Sequence, residues 1–241
     1  MSNEYFKNFE TIQYPLNDKL VSIKNFFKKT TVEQKSLYDV VDYTFYELSE
    51  GERPDIVANK LYGDSDLYWV LLLVNEIENL NEWHKDSPTF ENYMNDKFAG
   101  KYLVATASTD IVSSTSKFLI GEAITYTDTI DPTNGRGGHV VEIDPTFNRI
   151  GVVGDFPRLN SVTGGSSEKS FTPTSIIERR DGVSHYKNSD DTLRRNTSAA
   201  GYSAVTFYDD EFAKNEEKRK IKIVRPNIVN QVVKEFERLM S

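Results

Sequence analysis

Residues 53–83 read RPDIVANKLYGDSDLYWVLLLVNEIENLNEW, and this stretch decides the fold. Pro54 suits the first turn of a helix, where its missing N–H leaves no intrahelical bond unmade. The predicted helix runs to Tyr62 and stops at Gly63, a residue free to adopt positive φ just past a helix end. Asp64 or Ser65 can cap a second helix, which carries LYWVLLLV to Asn75. That helix is apolar all round, so it is buried on most sides. Upstream, VVDYTFYEL (Val40 to Leu48) is dense in β-branched and aromatic residues and reads as a strand. Residues 40–80 therefore spell strand–helix–helix on very short turns.

Outward from that block the texture changes. Leu16, Leu20, Ile23 and Phe27 fall on one face of a predicted short amphipathic helix, with Asn17 or Asp18 able to cap its start. From about Lys101, short apolar stretches alternate with TNGRGG, DPTFN and NSVTGGSS, the pattern of a small antiparallel barrel or sandwich over 101–178. Residues 179–205 have no strong period and read as an extended arm or surface loop. Near the carboxy terminus, KIKIV alternates like a short strand and ends at Pro226. Ile228, Val229, Val232, Val233, Phe236, Leu239 and Met240 then define a strongly amphipathic helix over 227–241. Such an apolar stripe must dock on its own core or on a partner.

Composition excludes more than it identifies. Lys+Arg 29 against Asp+Glu 37 leaves a net charge of −8, a poor field for casual binding to nucleic acid or an anionic membrane. With Cys 0 there are no disulfides, thiolate nucleophiles or zinc-thiolate sites. The amino terminus lacks the basic-then-apolar pattern of a signal peptide. The apolar run through Tyr68 to Val74, even with Leu67 before it, is far short of the roughly 20 residues of a spanning helix. His84, His139 and His185 are dispersed and offer no metal-ligand spacing. His185 reads as a hydrogen-bonded loop histidine, and Asp209-Asp210-Glu211 as a solvated helix entry rather than a calcium loop. The glycine-rich Asn134–Gly138 has neither the ending nor the following helix of a phosphate cradle and reads as a hairpin turn. Ser113–Ser116 lack a nucleophile elbow, and Arg179-Arg180 and Arg194-Arg195 read as salt-bridge partners. No catalytic constellation, cofactor site or metal site stands out.

The run closing on Tyr62-Gly63-Asp64, followed by Leu67-Tyr68-Trp69 and Val74-Asn75, resembles the LysM module, a strand–helix–helix–strand fold of which many members bind N-acetylglucosamine polymers. Trp69 and Tyr62 can pack between the helices while Asn75 holds the outgoing turn. Ile221–Pro226, with Ile223 on its apolar face, looks like the closing strand. The expected architecture is α+β: a 1–39 arm and helix, a split βααβ module at 40–95 plus 206–226, an inserted 101–178 unit, the 179–205 arm and the 227–241 helix.

RPDIVANKLYGDSDLYWVLLLVNE together with NEEKRKIKIVRPNIVNQVVKEFERLM is more specific, and resembles the LysM-like baseplate wedge protein of T-even-type contractile-tailed phages. YFKNFETIQYP and SIKNFFKK stand where that family has its amino-terminal segment, so the similarity covers roughly 1–95 and 205–240. The β-rich middle is larger than in the T-even form. The resemblance implies a structural virion protein, assembled in the host cytoplasm, that clamps neighbouring wedges in a sixfold baseplate without enzymatic activity or cofactor. Its implied partners are the other wedge subunits, including the small lysozyme-like subunit at the sheath-proximal end, and neither nucleic acid nor membrane. Tyr62, Gly63, Tyr68, Trp69, Asn75, Ile223, Pro226, Val232 and Phe236 are the candidate core or partner-contact residues. A glycan-binding module is the alternative, and a cell-wall hydrolase a third reading that needs a catalytic carboxylate in a cleft.

Overall fold

The computed structural model describes residues 9–25, 43–114, 116–126, 136–190 and 194–240, apart from the side chains of Arg136, Leu239 and Met240. Several expectations fall outside these residues: Phe27, the start of the strand at Val40, Asn134 and Gly135 of the glycine-rich turn, Thr115 within Ser113–Ser116, and much of YFKNFETIQYP and SIKNFFKK. Along the chain come β1 (Thr11–Leu16), β2 (Lys19–Lys24) and β3 (Tyr43–Glu47), then α1 (Pro54–Tyr62), α2 (Tyr68–Val74) and α3 (Ser87–Lys97). The strands β4 (Lys101–Val104), β5 (Ala123–Tyr126), β6 (Arg136–Asp144), β7 (Arg149–Gly154) and β8 (Val162–Gly164) follow. Next are β9 (Ser170–Phe171), β10 (Ser175–Glu178), β11 (Val183–Asn188), β12 (Arg194–Arg195) and β13 (Tyr202–Thr206). The chain closes with α4 (Phe207–Glu217), β14 (Lys220–Val224) and α5 (Val229–Met240). The fold is mixed α+β with antiparallel sheets, and it divides into two compact units, Met1–Ser87 with Asn215–Ser241, and Pro88–Lys214.

In the first unit α1 begins on Pro54 and ends on Gly63, whose φ of 74° lets its N–H reach the Asn59 carbonyl. Asp64 accepts a bond from the Asp66 N–H and starts the 3-10 turn Ser65–Leu67 that leads into α2. β3 pairs antiparallel with β14, Tyr43 opposite Val224 through Glu47 opposite Lys220. One core joins Val57, Leu71 and Val74 to Ile221, Ile223, Val233 and Phe236.

The helix expected from Leu16 to Phe27 is a correction. Residues 11–24 form the hairpin β1–β2, with Ile12 opposite Ile23, Tyr14 opposite Val21 and Leu16 opposite Lys19. Asn17 and Asp18 are its turn, at φ 49° and 61°. Two consecutive left-handed residues make the primed turn that matches strand twist, so the pair reverses the chain instead of capping a helix.

In the second unit, β10-β4-β7-β6-β5-β8-β9 form one seven-stranded antiparallel sheet. Its end strands β9 and β10 are joined only by residues 172–174, which span at most about 14 Å, so the sheet curls until its ends approach. It is a half-barrel, neither the closed barrel nor the two-sheet sandwich. Pro173 sits in that link and has no N–H with which to continue a ladder. Leu103, Phe118, Val140, Ile150, Val152 and Phe156 fill its interior.

Residues 179–205 are a second correction. Instead of an extended arm they contain the sheet β12-β11-β13, with His185 and Val205 buried. β12 is only two residues long and β11 carries a bulge between Val183 and His185, so no side-chain period marks the sheet in the sequence. His185 is accordingly a strand residue; burial, then the charge of Arg194, lowers its pKa. α4 opens on a reciprocal cap between Thr206 and Asp209. Arg179 pairs with Glu142 and Arg180 with Glu91, both at 2.7 Å.

Candidate functional site

The sequence candidates gather where the two halves of the first unit meet. Asn75 ends α2, and its side-chain Nδ2 donates to the carbonyls of Leu71 and Lys222, each at 2.8 Å. The Lys222 N–H donates back to Asn75 Oδ1 at 2.8 Å. One amide therefore closes α2 and grips β14. Ile223 is buried on the helix-facing side of β14. Pro226 is exposed at the second place of a turn closed by the Ile228 N–H donating to the Arg225 carbonyl. That turn aims α5 back onto the core.

There Phe236 meets Trp69, ring centroids 4.5 Å apart and tilted by 38°. Phe9, absent from the sequence candidates, packs on the Phe236 ring at 6.3 Å. Val232 is half-buried beside them, and Tyr68, the first residue of α2, is exposed. Tyr62 is half-buried, and burial pushes its phenol up to about 12, against a weak opposing approach of the Val224 backbone. Gly63 is exposed, with nothing within 4 Å of where a Cβ would stand. Trp69, Asn75, Ile223 and Phe236 thus form the joint. Tyr68, Gly63 and Pro226 lie at the surface.

Among its described residues this unit has several open surfaces. The hairpin β1–β2 exposes Tyr14, Leu16, Leu20 and Val21, with Leu20 71% accessible. Alternation of Ile12, Tyr14 and Leu16 before Asn17-Asp18, and of Val21 and Ile23 after it, is the signal that marks it, and the coincident i, i+4 spacing of its leucines conceals it. The second surface is the outer side of β3, where Phe45 is 55% exposed. The third is a cavity of about 360 Å³ lined by Asn75, Glu82, Trp83, His84, Lys218 and Lys220, among others. Trp83 is fixed there by its indole N–H donating to the Glu52 carbonyl at 2.8 Å. Burial works to raise the Glu52 pKa, but hydrogen bonds from Ser49, Lys60 and Tyr46 outweigh it and lower it. His84 Nε2 lies 3.5 Å from Glu216 and makes no hydrogen bond among the described residues.

Among the described residues no group of three or more His, Cys, Asp or Glu is placed to hold a metal ion. Among them, too, no helix is long and apolar enough to cross a membrane. In the second unit, the buried Glu122 accepts backbone N–H bonds from Leu119, Ser166 and Ser167. These outweigh the upward push of burial and lower its pKa, which fits a loop anchor.

No curated protein matches the chain. Residues 4–101 match the family model described as Base plate wedge protein 53, a span that takes in the hairpin, β3 and helices α1 to α3. The match across residues 4–101 makes this chain similar to that family and supports a phage baseplate wedge protein, a structural component of the virion tail that associates with other baseplate subunits.

Proposed function

We propose that the protein is a non-catalytic subunit that clamps adjacent wedges together during baseplate assembly in the host cytoplasm. The observation that carries this reading is the hairpin β1–β2. A two-stranded ribbon is marginal in water by itself, and this one presents Tyr14, Leu16 and Val21 on one face and Leu20 on the other. Apolar side chains displayed on both faces of a thin ribbon fit insertion into a neighbouring subunit. The partners implied by the family resemblance are the other wedge subunits, including the lysozyme-like one near the sheath.

The pairing of β3 with β14 around α1 and α2 supports a LysM-like βααβ module split by a long insertion. Proteolysis within 105–205 should then leave the flanks associated, and their separation would remove the split-module reading. Co-expression with the products of neighbouring wedge genes tests the clamp. A stable heteromer is expected, and a chain that purifies alone from every combination overturns it.

A second reading, glycan binding, is favoured by the cavity beside Asn75 with Trp83 in its wall. Titrating N-acetylglucosamine oligomers against the fluorescence of Trp69 and Trp83 tests it. Saturable quenching would establish it, and an unchanged spectrum removes it.

A further inference from the structure

Among the described residues β3 and β14 form a sheet of two strands, so each has an outer edge, and the two edges are not equivalent. Leu48 donates its N–H to the Arg219 carbonyl at 2.8 Å. Bonded pairs alternate along an antiparallel ladder, so Tyr46 with Ile221 and Thr44 with Ile223 are the inward-bonding pairs. Phe45 and Lys222, opposite one another, turn their N–H and C=O groups outward on the two edges. On the β14 edge both Lys222 groups are taken by Asn75. On the β3 edge the corresponding groups of Phe45 face away from the sheet and, among the described residues, make no bond of this kind.

Side chains single out the same strand. Residues directly opposite share a face, so Tyr43, Phe45 and Glu47 lie on one face with Lys220 and Lys222. Lys220 Nζ stands 4.6 Å from the Phe45 ring centroid and Lys222 Nζ 5.6 Å from that of Tyr43. Although Lys220 is across from Glu47, it reaches over the aromatic ring. Among the described residues Lys218, Lys220 and Lys222 form no ion pair, in a chain whose net charge is −8. An open edge carrying an exposed Phe and flanked by unpaired ammonium groups is a template for strand addition.

We propose that the β3 edge accepts an added strand from a partner polypeptide, an extended segment whose side chains on the lysine-bearing face are acidic. Its backbone bonds to the outward groups of Tyr43, Phe45 and Glu47. Its carboxylates reach the ammonium groups held over the two rings. Charge selects this occupant, because a second copy would align β3 with β3 and bring Glu47 and aromatic rings, but no further acid, to the lysines. The partner's existence rests on the assembly reading, whereas the edge rests on the geometry above.

The test is amide exchange at Tyr43–Glu47 in the full chain, with and without a synthetic peptide alternating glutamate and valine. A peptide alternating lysine and valine is the control. Alone, the protein should exchange Phe45 fast while Thr44 and Tyr46 are protected. The glutamate peptide should slow Phe45 by roughly tenfold or more, the lysine peptide should not, and the effect should weaken with salt. Lys220→Glu with Lys222→Glu should reverse the preference, with Thr44 and Tyr46 protection reporting an intact ladder. Phe45 protected in the protein alone, equal effects of both peptides, no effect of either, or self-association through this edge would each overturn the proposal. No wedge subunit enters this experiment, so co-purification can succeed while strand addition fails, and the reverse.

Discussion

Asn75 and Lys222, with a sequence separation of 147, exchange two hydrogen bonds, the side-chain amide donating to the Lys222 carbonyl and accepting from its N–H, each at 2.8 Å. The amide stands in for a neighbouring strand and also completes the last turn of α2 through Leu71. Asn75→Ala leaves a half-buried donor and acceptor of β14 unpaired and should cost about 2–3 kcal/mol, read from urea unfolding. Asn75→Asp keeps the acceptor for Lys222 but loses both donations, and should be intermediate. Wild-type midpoints in both would show that β14 is held by its partner strand alone.

The contact between Trp69 and Phe236 sorts the residues of α5. Phe236 is 5% exposed and Val232 only half-buried, so the stripe is not uniform. Phe236→Ala should destabilise by about 3–5 kcal/mol, and Phe236→Asp by at least as much. Val232→Asp should cost less than Phe236→Asp. Equal effects at the two positions would contradict this docking of the helix.

Gly63 and Gly154 make a contrast in backbone chemistry. Gly63 is at φ 74° with open space around it, so Gly63→Ala should carry only the left-handed penalty of about 1–2 kcal/mol. Gly154 is at φ 147°, and a Cβ there would lie 2.2 Å from the Gly137 carbonyl oxygen. Gly154→Ala should therefore cost clearly more, because backbone of the adjacent strand must move. Thermal unfolding of the two variants measures the difference.

What the sequence discloses follows the kind of force involved. α1 and α2 are legible because Pro54, Gly63 and Asp64 act within a turn of where they stand, and LYWVLLLV has no polar face to mislead. β14 is legible from Ile221 and Ile223 alternating with lysines. The hairpin at 11–24 is misread because Leu16, Leu20 and Ile23 satisfy a helical spacing while also lying on strands, and the deciding feature is backbone φ at Asn17 and Asp18. The sheet β12-β11-β13 is illegible because the bulge in β11 breaks its side-chain period and β12 is only two residues long. Asn75 is visible as a turn residue, but its bonding to Lys222 is long-range and has no local signature. Phe9 and Phe45 stand in stretches whose patterning does not tell a core ring from a surface one.

Glu211 gives the second unit an acid-labile clamp. Burial works to raise its pKa, but hydrogen bonds from Tyr93, Lys214 and Lys97 outweigh it and hold the carboxyl at about 2 against an ordinary 4.5. A depressed carboxylate pKa stabilises above the unfolded value and loses that contribution as pH falls through the folded one. The contribution, at most about 3 kcal/mol, should be complete above pH 4.5 and lost between there and about pH 2. Glu211→Gln should flatten this part of the stability profile, measured by denaturant titrations across that range. A profile unchanged by the substitution would show that other carboxylates carry it.

The hairpin separates folding from assembly. Leu16 and Val21 lie on its apolar face at 53% and 39% exposure, and neither belongs to the core of the first unit. Leu16→Asp and Val21→Asp should therefore leave the unfolding midpoint within about 0.5 kcal/mol of wild type. If the ribbon inserts into a neighbouring wedge subunit, the same changes bury an unpaired carboxylate in that interface and should abolish co-purification of the heteromer. Ile12→Asp at the half-buried base is the informative contrast, because it should lower stability as well. Heteromers that survive the tip substitutions would move the contact elsewhere, and a large loss of stability would show that the tip packs on its own chain.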